Sequence, residues 1–397
     1  MFEKFEKLVN LALAEGFEKA EVYASAVDSF SVGVYEGHIE NYSVAKRAGL
    51  SLRGLLNGQM GYASTESDDE SEYAELVARA KENAEVLESQ DEQFLYDGTE
   101  KLDWISSLNP ELEKVTPEQK IALVMDLEKK CLELGGEGTR VASCEVGTDS
   151  SSCVMVNSLG LHRTFESNTA YAAVEVVIAQ GDKQYPGFAF RFTRDFNELN
   201  VEELAKEALA EARKYIGAQS IPSAAMPVVM DKAAMRTMLA TFAGVFSAEA
   251  AQKGLSLLGG KEGGNVAASA VTIWDDPSDG LGLAGMPFDG EGVPTQKKAV
   301  VENGKLNTLL YTLKSAKKAG KNTTGNAARA SYMSTVGTAP TNFYIAPGKN
   351  TVEQLYQMAG NGVRIDELMG THAGANPISG DFSLSCKGMK IENGKLT

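Results

Sequence analysis

The chain holds three histidines, His38, His162 and His372, each isolated from the others. A zinc site needs three or four nitrogen, sulfur or carboxylate ligands converging at about 2.0–2.3 Å. No HExxH pair or related pattern is present to supply them. Cys131, Cys144, Cys153 and Cys386 include no CxxC pair. Together with the N-terminus described below, that usage predicts small core residues in a reducing compartment. Gly259-Gly260-Lys261-Glu262-Gly263-Gly264 has the outline of a phosphate loop. A Walker loop places Ser or Thr after its lysine to reach magnesium. Glu262 stands there instead and would repel phosphate, so a mobile turn is expected. No GxSxG elbow occurs, and Lys314-Ser315 has no supporting pattern. Taken singly, the residues present neither a catalytic centre nor a metal site.

The elements that would carry such residues are legible from periodicity. Phe5, Leu8, Val9 and Ala12 share one face of a helix over Phe2–Glu15, stopped by Gly16. Alternating runs at Ala20–Ala26, Phe30–Tyr35, Ile39–Val44, Ala48–Leu56 and Gln59–Thr65 predict strands. The last two flank Asn57-Gly58, a strong hairpin signal. Ser67 and Glu70 are spaced as a capping box for a helix reaching Leu87, and Thr116-Pro117-Glu118-Gln119 opens another. A polar connection, Glu88–Val115, lies between them. Strands follow near Arg140–Gly147, Ser152–Asn157, Leu161–Gln180 and Tyr185–Thr193. Asn200 caps a helix to Ile216. Beyond the small, polar, proline-bearing Ala218–Pro227, the pattern predicts a helix over Lys232–Phe246 and glycine-rich loops. Strands at Lys297–Val301 and Lys305–Thr312 join at Asn303-Gly304, and a helix over Val352–Ala359 leads to a strand at Val363–Met369. Lys387–Glu392 and Asn393-Gly394 then begin a hairpin, but only Lys395-Leu396-Thr397 follows. A return strand of about five residues is usual, so the sequence is expected to be truncated relative to its natural protein.

With 397 residues the chain is long for one core. The reading divides it into 1–115, 116–217 and 218–397, an α+β protein whose N-terminal antiparallel sheet is accompanied by helices. No solenoid-period repeat is visible. A formal net charge of −16 repels phosphate backbones and argues against nucleic-acid binding. No apolar run approaches the roughly 20 residues of a membrane helix. Met1–Lys7 lacks the basic start and apolar stretch of a signal peptide, so the expected location is the cytoplasm.

A series of motifs in the C-terminal half resembles the TldD/TldE (PmbA) peptidase family. They are Asp275-Asp276-Pro277, Met286-Pro287-Phe288-Asp289-Gly290-Glu291-Gly292-Val293-Pro294-Thr295, Asn303-Gly304-Lys305-Leu306, Thr324-Gly325-Asn326, Pro340-Thr341-Asn342, Glu367-Leu368-Met369-Gly370, Gly380-Asp381-Phe382 and Ile391-Glu392-Asn393-Gly394. Their order and spacing over Pro227–Thr397 carry the resemblance, and Gly49–Ser64 is similar less specifically. The resemblance implies a C-terminal domain rich in antiparallel strands, barrel-like, and a cytosolic assembly. That assembly cleaves small unfolded peptides, modified-peptide precursors and antitoxins among them. An old label ties the family to DNA gyrase, and the net charge argues against direct DNA contact.

TldD-type subunits carry HExxxH on a helix early in this domain. Here the region reads Leu239–Glu249 without a histidine. Without a metal to acidify water, Glu249 alone cannot activate it near neutral pH. The cysteine that TldD-type chains use lies nearer the C-terminus than Cys386, so that role is not carried over. The chain therefore resembles the TldE branch: a subunit with no catalytic residue, metal ligand or cofactor of its own. Zinc is expected in a TldD-like HExxxH partner, with homodimers when the chain is alone and unfolded peptides as ligands. The loop Asp275–Gln296 is long for a connection, which points to function. Phe288, Asp289 and Glu291, with Asn342 and Asp381, are the candidates for lining a cavity or touching peptide. The rivals are a stand-alone peptide-binding or chaperone-like module working by strand addition, and a peptidase with an unrecognised nucleophile such as Cys386 or Ser385.

Overall fold

The computed structural model describes residues 2–88, 91–98, 100–102, 104, 106–280 and 282–397; parts of the 88–115 connection and one position of the 275–296 loop lie outside them. The chain opens with α1 (Phe2–Ala14), β1 (Lys19–Tyr35), β2 (His38–Leu56), β3 (Gln59–Thr65) and α2 (Tyr73–Glu85). The same order of element types then recurs as α3 (Pro117–Gly135), β4 (Thr139–Asn157), β5 (His162–Gln180), β6 (Lys183–Thr193) and α4 (Val201–Lys214). The six strands form one antiparallel sheet, β3-β2-β1-β4-β5-β6, in which β1 and β4 are the seam between the two groups. The fold is α+β with antiparallel half-barrel sheets.

Helices cover one face of this sheet. Phe30, Val32 and Val34 of β1 pack with α3 and α4, and Val22, Leu50 and Leu52 with α1 and α2. The opposite face is covered by the C-terminal region at one end, through Tyr23, Cys153, Met155 and Phe165. On that face Phe188, Phe190 and Phe192 of β6 form a stacked and tilted row beside Tyr171, and all three phenylalanines are exposed.

Local chemistry explains most boundaries. Thr116 and Gln119 make the reciprocal capping box of α3, and Asn200 accepts from two N–H groups of α4. Asn57 and Gly58 both have positive φ, 50° and 78°, as a tight two-residue hairpin requires. The Ser67–Glu70 box does not form. Asp69 instead accepts from Ser71 and caps a short 3-10 turn before α2, while Ser67 Oγ takes the Asp69 N–H. The separate strands expected within residues 20–56 and 140–157 are continuous β1, β2 and β4, 17, 19 and 19 residues long. The serine- and aspartate-rich centres of β1 and β4 are held by ladders on both sides.

The C-terminal region holds β7 (Val228–Met230), α5 (Lys232–Phe242), α6 (Ala248–Gln252), β8 (Ile273–Asp275), β9 (Lys298–Glu302), β10 (Lys305–Leu306), α7 (Leu313–Ala319), β11 (Ala327–Ala328), β12 (Gly337–Thr338), β13 (Phe343–Ile345), α8 (Val352–Ala359), β14 (Gly362–Met369), α9 (Thr371–Gly374), β15 (Ser385–Glu392) and β16 (Lys395–Leu396). Two four-stranded sheets result, β10-β9-β8-β13 and β16-β15-β14-β7, and β7 runs parallel to β14. The strand expected over Lys305–Thr312 ends at Leu306. Beyond it Leu309, Leu310 and Tyr311 donate to Glu262, Phe246 and Thr324 rather than to a neighbouring strand. The helix expected to reach Phe246 closes as a 3-10 turn over Ala243–Phe246. The Gly259–Gly264 turn is pinned, not loose: Glu262 accepts from Leu309 N–H, Tyr311 Oη and Lys321 Nζ. Cys131, Cys144 and Cys153 are buried as expected, whereas Cys386 is exposed on β15. Among the described residues no helix is long and apolar enough to cross a membrane.

Candidate functional site

Charged residues set inside apolar strands mark the junction of the sheet with the C-terminal region. Glu21 on β1 and Arg53 on β2 stand directly opposite in the antiparallel register. Both are buried, at 0% and 6% exposure. Glu21 Oε1 accepts from Arg53 Nε at 2.7 Å and from Arg329 Nη2 at 2.6 Å. The Arg329 guanidinium also lies over Tyr23, 4.8 Å from the ring centre. Arg53 Nη1 is 3.8 Å from Glu291 Oε1. Two guanidiniums thus share one carboxylate, and a second carboxylate stands nearby. Glu21 Oε2, Arg53 Nη2 and Arg329 Nε are buried without a hydrogen-bond partner.

The Asp-Gly-Glu-Gly segment at 289–292 reaches this cluster from the other side. Asp289 Oδ1 accepts from the N–H of Glu291 and Val293 at 2.8 and 3.0 Å, and Oδ2 from Ala327 N–H at 2.9 Å. Those bonds fold the turn and tie it to β11. Glu291 Oε2 accepts from Leu313 N–H at 2.8 Å, which fixes the start of α7. Burial pushes the Asp289 carboxyl up to about 7, and the Glu291 charge adds to the rise, against the pull of the three N–H groups. Glu291 is raised by burial too, opposed by Arg53. Burial works against the Arg53 charge, but Glu21 and Glu291 outweigh it and hold the guanidinium firmly protonated.

A cavity of about 200 Å³ opens beside the cluster, lined by Arg53, Tyr62, Glu249, Glu291, Lys314 and Arg329 among others. A wider groove of about 980 Å³ adjoins it along Phe94, Tyr96, Val293, Leu313 and Lys317.

The candidates from sequence do not gather at one place. Glu291 lines the cavity, and Asp289 is the buried brace of its turn. Phe288 is 1% exposed, packed with Tyr23, Met155, Leu161 and Tyr332, so its role is to bind the two regions together. Asn342 braces the 275–296 loop, accepting from Ala284 N–H and donating to the Asp276 carbonyl, each at 3.0 Å. Asp381 is exposed, in a turn closed by Asn376 N–H on its own carbonyl. Glu21, Arg53 and Arg329 were not singled out by sequence. The available signal was a charge inside an apolar alternation, as in Leu50-Ser51-Leu52-Arg53-Gly54-Leu55.

Three family models cover most of the chain. They describe the first, central and C-terminal domains of the PmbA/TldA metallopeptidases and match residues 20–84, 110–215 and 223–397. The chain belongs to the PmbA/TldD family. An uncharacterised Methanocaldococcus jannaschii protein is 28% identical over 98% of this chain and 89% of its own length. The metalloprotease PmbA of Escherichia coli O157:H7 is 25% identical over 97% and 84%. A Thermotoga maritima structure, named a modulator of a DNA gyrase, superposes with a TM-score of 0.91 at 30% identity, covering 100% of this chain and 90% of that one. TldE from Thermococcus kodakarensis shares the fold, with a TM-score of 0.88 at 24% identity over 99% and 89%.

A metallopeptidase family implies zinc, and the residues around this cavity do not fit it. The walls carry two guanidiniums and an ammonium against two carboxylates, with no imidazole or thiolate among the lining residues. Such a set repels a divalent cation and lacks the donors zinc prefers. Among the described residues no group of three or more His, Cys, Asp and Glu side chains is arranged to hold a metal. Glu249 is paired with Lys253 at 2.7 Å. His162 bonds Glu6 at 2.7 Å, far along the chain from that region.

Proposed function

We propose that this PmbA/TldD-family chain is the non-catalytic, peptide-holding subunit of a cytoplasmic heteromeric peptidase acting on small unfolded or modified peptides. The observation that carries the reading is the chemistry around α5 and α6. Where the family resemblance places HExxxH, this chain supplies Glu249 alone, and its surroundings are cationic rather than metal-ligating. A relative bearing HExxxH supplies the zinc and activates water. This chain contributes groove surface and limits access to unfolded segments. Alone it forms a homodimer, because two chains of one fold present the same patch to each other. The zinc belongs to the partner, and neither nucleic acid nor a membrane takes part.

The test is to purify this chain and its HExxxH-bearing relative separately and then mix them. Peptidase activity on an unfolded peptide is expected to rise at least severalfold on mixing, with about one zinc per heterodimer. Light scattering that finds only monomer, with no gain on mixing, overturns the reading. Hydrolysis by this chain alone, abolished by thiol reagents, would favour Cys386 as a nucleophile instead.

A further inference from the structure

We propose that β6 is the surface through which two copies of this chain join, edge to edge, with Phe188, Phe190 and Phe192 of each copy at the centre. The proposal names the surface of the homodimer above and rests on that reading.

β6 is an end strand of the six-stranded sheet, and among the described residues no strand pairs with its outer side. Natural edges are blunted by proline, charge, bulges or a covering element. Pro186 does this near the start of β6. Beyond it the strand pairs with β5 without a bulge as far as Thr193. Arg191 turns to Glu207 on α4, at 2.7 Å. From Phe188 to Phe192 the open face of β6 carries only rings, 57%, 44% and 39% exposed in chain order. Phe188 and Phe190 stack at 6.4 Å, Phe190 and Phe192 lie 5.9 Å apart, and Tyr171 stacks on Phe192 at 6.2 Å.

The other end of the sheet shows how the fold treats an equivalent face. Gly61 on β3 packs against Ala80 and Ala84 of α2 as Gly187 on β6 packs against Ala208 and Ala212 of α4. Tyr62, next to Gly61, donates to the Tyr332 carbonyl, so the C-terminal region covers that end. At the β6 end the same region reaches Arg194, through the Gly282 and Leu283 carbonyls at 3.4 Å, and leaves the three rings bare.

A second β6 fits them. In an antiparallel pair with its two-fold axis at Phe190, that residue stands opposite its own copy and Phe188 opposite Phe192, with all six rings on one face. Moving the axis to Ala189 or Arg191 sets one ring against Pro186 or Arg194. A peptide would match this row only by carrying aromatic residues at alternate positions, whereas a second copy carries them by construction. At about 200 Å² per phenylalanine, the exposed rings of two copies offer roughly 550 Å², over half the ~1,000 Å² of a biological contact, before the strand edges are counted. A net charge of −16 per copy opposes association, but Gly187–Phe192 contains no carboxylate.

Light scattering of the full chain at micromolar concentration is expected to give twice the chain mass. The combined Phe188→Ser, Phe190→Ser and Phe192→Ser variant is expected to keep its circular-dichroism spectrum and to dimerise at least about a hundredfold more weakly. Cross-linking decides the matter independently of how that variant folds. In a Cys386→Ser background, Phe190→Cys chains oxidised with diamide are expected to form a covalent dimer, because opposite Cβ atoms lie about 4.5–5.5 Å apart. Phe188→Cys chains, whose thiols stand four residues apart or about 13 Å, are not, while a mixture of Phe188→Cys and Phe192→Cys chains is. A serine variant that stays dimeric, or cross-linking that is absent at 190 or equal at 188 and 190, overturns the surface and leaves the homodimer and the subunit reading standing. A wild-type chain found only as monomer also overturns it, and the mixing experiment then judges the subunit reading. Loss of the gain on mixing in the serine variant would in that case give the row to the HExxxH-bearing relative.

Discussion

A carboxyl group that stays protonated near neutrality leaves a signature in stability. Asp289 is raised from 3.8 to about 7, burial first and Glu291 second. Between those values the folded chain holds a proton that the unfolded chain has released. Stability from this group therefore falls as pH rises through that interval and levels off above about 7. Replacing Glu291 with Gln removes the neighbouring charge and its own raised titration. The loss of unfolding free energy between pH 5 and 7.5, measured by urea denaturation, is expected to shrink in Glu291→Gln by on the order of 1 kcal/mol. An unchanged pH profile would show that the Glu291 charge adds nothing to the Asp289 rise. Half of this site was readable from sequence. Asp-Gly-Glu-Gly needs glycine freedom and carries two acids, so it drew attention to 289–292. Its partners come from β1, β2 and the segment after β11, in places hundreds of residues apart. No local pattern joins Glu21, Arg53 and Arg329, because a charge in a strand looks the same whether it faces water or an opposite charge.

At the scale of elements, two helices sit unusually close to the outer strands. An added Cβ at Gly61 on β3 would meet the Ala80 carbonyl oxygen at 2.0 Å and Ala84 Cβ at 2.8 Å, both on α2. Gly187 on β6 faces Ala208 and Ala212 of α4 in the same manner. A glycine opposite alanines four apart lets a helix lie against each end strand. Gly61→Val should therefore lift α2 and destabilise the chain by at least about 1–3 kcal/mol, with amide protection lost first in Tyr73–Glu85. Full protection there would show that α2 is anchored elsewhere. Such packing also explains what sequence could and could not reveal. Caps at Thr116 and Asn200 and the Asn-Gly turns act within a few residues, so they were legible. The unbroken length of β1, β2 and β4 was not; Thr148–Ser151, for one, reads as a loop until both neighbouring strands supply its hydrogen bonds. The hairpin at Glu36-Gly37, with φ of 51° and 76°, was also hidden, since glutamate is rarely found in that conformation. In the C-terminal region the strands are two to eight residues long and pair across long loops, which weakens periodicity.

The whole molecule is locked across the junction of sheet and C-terminal region. Tyr332 lies against Gly49 and donates to Glu66 at 3.2 Å, Tyr62 donates to the Tyr332 carbonyl, and Glu21 bonds Arg329. Glu21→Ala leaves two buried guanidiniums without their shared anion, a change that typically costs about 3–5 kcal/mol. Calorimetry is expected to show one transition in the wild type and a lowered, split one in this variant. A single transition at the original temperature would mean that the ion cluster does not couple the regions. The β1–β4 seam has a consequence for how the protein is made. Val27 pairs with Ser151, about 120 residues further on. At roughly 5–20 residues per second, β1 emerges from the ribosome on the order of ten seconds before its partner is synthesised. Through that interval the growing chain carries a 17-residue strand with one edge unclaimed. An open edge of that length is a template for pairing with other chains, and it is closed only once the fourth strand has been made.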